Sequence, residues 1–282
     1  METKHNPIVV GTDFSQGSVV ALEVAIDIAN KLETDVLLIW VKKERKLIST
    51  DQVALTEQLA KERLQGMCDQ YGALLKGGSL RWEVVAGKVA SAISEKARQC
   101  GAPMIVVGTN GASGFEKYLI GSTAQRIVQE SPCPTLTIRE GFNFHKSLDH
   151  IVVPIRTHPN SRQKVPTAAA MARLFGAQVH VVGLIETAQD AVLLQTFLKQ
   201  VRGYFEMRGI PCTCVGRRYE SYAQTVLAYA EEVQADLLVI NTEQSKPLAQ
   251  LFLGTNAQQV VNRSQIPVLC VHPDDELNAV SR

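Results

Sequence analysis

Short runs of β-branched and aliphatic residues alternate along this chain with longer segments whose apolar positions recur every three or four residues. The first run, Ile8-Val9-Val10 within 8–12, reads as a strand buried on both faces. Val20, Val24, Ile28 and Leu32 then follow at i, i+4 spacing, which predicts a helix over 17–32 laid on that strand's sheet, with Ser15 as its N-cap. The same logic predicts strands at 36–41, 80–85, 104–108 and 135–138, and helices at about 52–71, about 88–100 and from about 121. Strands separated by helix-length segments are the mark of βαβ units, whose sheet is parallel because each crossover returns the chain to the same end.

The second half repeats the first. Ile8-Val9-Val10 is echoed by Ile151-Val152-Val153, and 36–41 by 179–184, both 143 positions on. Met104-Ile105-Val106-Val107 is echoed by Leu237-Leu238-Val239-Ile240, and 131–136 by 264–269, now 133 positions on. The second copy is therefore shorter by about ten residues, lost between its second and fourth strands, as a repeat whose loops vary more than its strands would be. Residues 140–150 read as the linker, giving domains at 1–141 and 149–282. The expected architecture is two tandem Rossmann-like, doubly wound α/β domains, each with a five-stranded, mainly parallel sheet and helices on both faces.

Composition narrows the partners. Apolar residues make up 45% of the 282 and charged residues 20%, as in globular chains of this size, which is ample for two cores. A formal net charge of +1 supplies no field to gather nucleic acid or anionic membrane. The basic run Lys42-Lys43-Glu44-Arg45-Lys46 is broken by an acid and reads as a solvated loop or helix end, as does Arg217-Arg218. No apolar stretch reaches the roughly 20 residues of a membrane span, and no secretory h-region precedes the first strand, so a cytoplasmic protein is expected. The six cysteines include no Cys-x-x-Cys pair. Cys212-Thr213-Cys214 puts two thiols on one face of a strand, which favours packing over a metal clip.

Candidate chemistry lies after the fourth strand of the first copy, at Gly108-Thr109-Asn110-Gly111 and, nine residues further, Gly121-Ser122-Thr123. Glycine lets backbone approach a ligand without a Cβ in the way. Gly121-Ser122-Thr123 opens the next helix, where unpaired N–H groups and the positive dipole end make an anion site, and two hydroxyls add donors. These are the parts of a phosphate cradle, though the spacing is not that of a Walker loop and no lysine follows the last glycine.

The pattern Gly-x2-Gly-x9-Gly-Ser resembles that of the universal stress protein family in its ATP-binding branch. The opening Ile-Val-Val-Gly11-Thr12-Asp13-Phe-Ser, Trp40-Val41 at the end of the second strand, and Ser-Pro-Cys-Pro-Thr-Leu also look like that family. The resemblance covers nearly the whole chain, as a tandem member. It implies that Gly11, Thr12, Asp13 and Val41 sit near the nucleoside end of an adenine nucleotide. Val107, Gly108, Thr109, Asn110 and Gly111 would line the ribose and phosphates. Gly121, Ser122 and Thr123 would bind phosphate oxygens. The implied ligand is ATP or a related adenine nucleotide, whose phosphates could bring Mg²⁺ with them. The implied role is regulatory: occupancy would alter segment 109–120 and with it the surface offered to a protein partner. Family members pair through their last strands, so 135–138 and 268–271 are expected to meet within one chain as a pseudo-dimer, and homodimerisation of whole chains is compatible with this.

The second copy departs from the pattern. Pro154-Ile155-Arg156 stands in place of Gly11-Thr12-Asp13, and Asn241 and Gln244 in place of Gly108 and Gly111; only Gly254-Thr255 survives. A blocked or altered site and a structural role are expected there. Two rivals stand beside the regulatory reading. One is an interaction scaffold that binds no nucleotide, its glycines serving turns and packing alone. The other is a slow ATPase, since a cradle supplies some charge stabilisation. The six histidines form no constellation with a serine or cysteine nucleophile, and no carboxylate cluster marks a dedicated metal site.

Overall fold

The computed structural model describes residues 6–42, 50–109, 120–142, 148–242 and 255–272, and the chain divides into two compact units, Met1–Gly141 and Phe142–Arg282. The first unit contains β1 (Ile8–Thr12), α1 (Gln16–Leu32), β2 (Val36–Lys42), α2 (Thr50–Tyr71), β3 (Leu80–Ala86), α3 (Val89–Cys100), β4 (Ile105–Gly108), α4 (Ser122–Glu130) and β5 (Thr135–Ile138). The second contains β6 (His150–Ile155), α5 (Val165–Phe175), β7 (Gln178–Ile185), α6 (Ala188–Glu206), β8 (Cys212–Arg218), α7 (Tyr222–Glu232), β9 (Leu237–Asn241), α8 (Thr255–Arg263) and β10 (Val268–Val271). Both are α/β folds whose strand pairings are parallel, with helices on both faces of the sheet.

Strand order in the first unit is β3-β2-β1-β4-β5 and in the second β10-β9-β6-β7-β8. In each, the central strand (β1 or β6) is flanked by two neighbours reached by crossovers running in opposite directions, which opens a crevice at the strands' carboxyl ends. The central strands carry the core: Ile8, Val9 and Val10, like Ile151, Val152 and Val153, are 0% exposed. Helix α1 begins where the pattern placed it, with Ser15 as N-cap and its Oγ accepting the N–H of Ser18 at 3.3 Å. Val20, Val24 and Ile28 are buried against the sheet.

The linker is one residue shorter than the sequence suggests, because His150 already belongs to β6. The carboxylate of Asp236 accepts the N–H groups of both Asp149 and His150, at 2.8 and 2.9 Å, and Gln178 N–H donates to Asp149 O at 2.8 Å. Ladder pairing with β7 therefore starts at His150↔Gln178. Among the described residues no helix is long and apolar enough to cross a membrane.

Candidate functional site

The predicted site residues of the first unit that the structure describes gather at the crevice between β1 and β4. Gly11 and Thr12 end β1, Asp13 follows it, Val41 lies one residue from the end of β2, Val107 and Gly108 end β4, and Gly121 caps α4. The parallel register Val10↔Val106 brings the ends of β1 and β4 side by side. Asn110 and Gly111 lie outside the described residues.

Backbone hydrogen bonds shape the cradle. Thr109 N–H donates to Ile138 O at 2.8 Å, carrying the β4–β5 ladder one residue past the strand. Thr109 O then accepts the N–H of Gly121 at 2.7 Å, so the start of α4 is tied to the carboxyl end of β4. Gln125 N–H reaches Gly121 O at 3.0 Å, the first full helical bond. The amides of Ser122 and Thr123 are thus first-turn donors with no intrahelical acceptor. Gly121 offers no side chain to cap them, and both hydroxyl residues are exposed. A Cβ on Gly121 would stand 3.2 Å from Thr109 O, on the bond that pins the helix.

The other glycines have packing reasons that spacing alone does not reveal. A Cβ on Gly108 would lie 2.7 Å from both the carbonyl carbon and the oxygen of Gly17, in the first turn of α1. Real Cβ atoms do not approach backbone that closely, so Gly108 lets α1 lie directly on β4. A Cβ on Gly11 would meet Ile93 Cδ1 at 2.7 Å, the movable tip of a side chain on α3.

The β1–α1 turn is locked from within. Thr12, 8% exposed, shares a 3.0 Å hydrogen bond with Ser18 Oγ and accepts Phe14 N–H at 3.0 Å. Asp13 is exposed, and its Oδ1 accepts the Ser15 N–H at 3.1 Å and the Ser15 hydroxyl at 2.5 Å. Phe14 between them adopts φ 64°, a left-handed conformation that costs a bulky L residue about 1–2 kcal/mol. Its ring stacks on Trp40 at 6.4 Å between centroids, and Arg63 Cζ stands 4.8 Å above it. Sequence reasoning missed Phe14, Arg63 and Gly17: nothing in one-dimensional spacing announces a positive φ or a close backbone approach. Beside β2's end, Lys42 binds Glu57 at 2.7 Å, and hydrogen bonds from Lys42 and then Lys61 hold the Glu57 carboxyl down at about 2.

The equivalent crevice of the second unit is filled by side chains. Asn241 stands where Gly108 does, and its Oδ1 accepts a 2.6 Å hydrogen bond from Lys164 Nζ. Lys164 is 2% exposed, and the same ammonium donates to Ser161 O at 2.6 Å. A short 3₁₀ turn, Pro159–Arg162, replaces the first turn of the helix, and α5 starts only at Val165. The space that Gly108 leaves for α1 in the first unit is thus taken by an amide and a cation in the second. Arg156 N–H donates to Ser161 Oγ at 2.7 Å, and Arg156 Cζ lies 5.3 Å from the Tyr222 ring centroid. Gln244 and Gly254 lie outside the described residues.

A model of the universal stress protein family matches residues 4–139 and again 147–272. A universal stress protein of Methanocaldococcus jannaschii is 29% identical over 149 residues, covering 49% of this chain and 85% of the relative. One of Mycobacterium tuberculosis strain CDC 1551 is 24% identical over 272 residues, 94% of this chain and 95% of the relative. The crystal structure of a universal stress protein from Archaeoglobus fulgidus superposes with a TM-score of 0.75 at 18% identity, covering 96% of this chain and 98% of that one.

Proposed function

This chain belongs to the universal stress protein family as a tandem member, and from that premise we propose that its first unit binds an adenine nucleotide, ATP with Mg²⁺, while its second unit is a structural partner. The observation that carries the reading is the Thr109–Gly121 hydrogen bond, which sets the uncapped start of α4 beside the crevice between β1 and β4. Anionic oxygens are stabilised there by first-turn amides, by the Ser122 and Thr123 hydroxyls and by the helix dipole. Adenine as the base follows from the likeness of Gly-x2-Gly-x9-Gly-Ser to the family's ATP-binding branch. Mg²⁺, which binds through one or two carboxylates plus substrate phosphates, would arrive with the nucleotide. Occupancy of this site is the signal, read by a protein partner in a stress response.

Titration calorimetry of nucleotide-stripped protein with ATP and Mg²⁺ tests this reading, with one equivalent expected. The decisive variant is Ser122→Asp. A carboxylate at the first helical position suits the helix dipole and leaves the fold intact, yet repels phosphate. A loss of affinity on the order of tenfold or more, about 1.4 kcal/mol, is expected. Unchanged affinity would remove α4 from the site, and no binding of any adenine nucleotide would favour the interaction scaffold.

A further inference from the structure

The second unit carries a thiol pair that nucleotide binding does not use. Cys212 and Cys214 lie on β8, the end strand of their unit's sheet, and two-residue spacing puts both side chains on one face. Their sulfurs are 3.8 Å apart. Arg202, on α6 across from them, lines the same cavity as Cys214. Beside Cys214 opens a cavity of about 310 Å³ whose walls include Ile185, Leu194, Leu198, Arg202 and Gly216.

We propose that Cys212 and Cys214 form a reversible dithiol–disulfide couple, Cys214 being the sulfur that attacks a hydroperoxide and Cys212 the one that resolves the product. In the first step the Cys214 sulfur attacks the distal oxygen of the hydroperoxide: the S–O bond of a sulfenic acid forms, the O–O bond breaks, and alkoxide or hydroxide leaves and takes up a proton. In the second, Cys212 sulfur attacks the sulfenic sulfur, the S–S bond forms and water leaves. The peroxide is reduced by two electrons and the two thiols are oxidised by two.

The division of roles follows from the cavity, whose lining includes Cys214 and Arg202. The contact with Cys212, and after it the neighbouring Arg202, holds the Cys214 thiol below its ordinary range against the opposing effect of burial, and Glu206 opposes it more weakly. The Cys212 thiol is pushed up, chiefly by its contact with Cys214 and by burial. The Cys214 thiol donates to Leu198 O at 3.8 Å, a weak contact. The other cysteines are poor competitors. Burial pushes Cys68 up to about 11 and Cys270 up to about 12, raises Cys100, and leaves Cys133 inaccessible at 8% exposure.

Two strand residues span about 6.6 Å between Cα atoms, near the upper limit of about 6.8 Å for a disulfide. Closing the bond must draw in β8, which an end strand can accommodate. Such a strained bond is easily reduced and suits a switch better than a staple.

The test treats the intact chain with hydrogen peroxide, blocks remaining thiols and reads peptides by mass spectrometry. The peptide holding Cys212 and Cys214 should lose two hydrogens and regain them with dithiothreitol. Cys212→Ser should stop at a sulfenic acid on Cys214, captured by dimedone, and Cys214→Ser should leave Cys212 reduced. In the untreated protein Cys214 should be alkylated on the order of tenfold faster than Cys68. Arg202→Met should narrow that margin, and Arg202→Lys should restore part of it. Oxidation of Cys212 in Cys214→Ser as fast as in the parent, or a pair no more reactive than Cys68 and Cys100, would overturn the proposal.

Discussion

The crevices of the two units occupy the same place in the same topology, yet one is built around missing side chains and the other around a buried cation. In the first, Gly108 and Gly17 let a helix lie directly on β4, and Thr109 ties the start of α4 beside it. In the second, Asn241 has a side chain at that position; the helix gives up its first turn to a 3₁₀ segment, and Lys164 bridges the gap to Asn241 and Ser161. Loss of one glycine is therefore not an isolated event. Backbone cannot stay where a Cβ must go, and the Lys164 ammonium in the opened space is paired by Asn241 Oδ1 and Ser161 O, because an unpaired buried cation is untenable.

The comparison can be broken most severely at Gly108. Gly108→Val should lower stability by about 3 kcal/mol in denaturant unfolding, since backbone rather than a side chain blocks the new atoms. It should abolish nucleotide binding only as a consequence. A stable, non-binding Gly108→Val protein would make the glycine a ligand contact and not a packing device. Next comes Asn241→Ala, which strips an acceptor from the buried Lys164 ammonium and should cost about 2 kcal/mol without creating a second ATP site. A stoichiometry of two in this variant would show that the second crevice was only obstructed.

Phe14 sharpens the contrast further. Phe14→Ala keeps the positive φ but loses the Trp40 and Arg63 contacts, and should cost about 1 kcal/mol. Phe14→Gly loses the same contacts but relieves the backbone, so it should be more stable than Phe14→Ala by about 1 kcal/mol. Equal melting temperatures for the two variants would mean that the turn carries no strain.

The smallest effect expected is a pH dependence confined to the second unit. His180, 8% exposed, shares a 3.0 Å hydrogen bond with His150 and a 2.9 Å one with Thr213. Burial, and after it the neighbouring His150, lowers its affinity for a proton below the ordinary imidazole value of 6.5. The unfolded chain therefore binds more protons just below that value, so this contribution is fully present above 6.5 and falls away as the pH drops below it. A melting series over about pH 7 to 5 should show a decline that His180→Gln makes shallower. An identical slope in the variant would place the acid sensitivity elsewhere.

Much of this was legible in one dimension. The alternation of apolar runs with 3.6-period segments located the elements of both units, and Ser15 was recognisable as a cap, because strand burial and helix amphipathicity depend on local order alone. The internal repeat marked the two units before any coordinates existed. The glycines and hydroxyls of 108–123 were legible as the parts of a candidate cradle, since anion sites at helix starts need only those residue types in that order.

What tertiary structure alone decided is which of these residues pack against their own chain. Gly108 is explained by Gly17, which is 91 positions away in sequence, and Asn241 by Lys164, 77 positions away. Spacing within a segment cannot report such partners, because the contact depends on how closely a helix packs on a sheet. The left-handed turn at Phe14 and the placing of Cys214 and Arg202 on one cavity belong to the same class. The sequence by itself determined the elements and the doubled architecture, through local periodicity. The third dimension settled how close those elements come, and so what packs against the ends of β4 and β9.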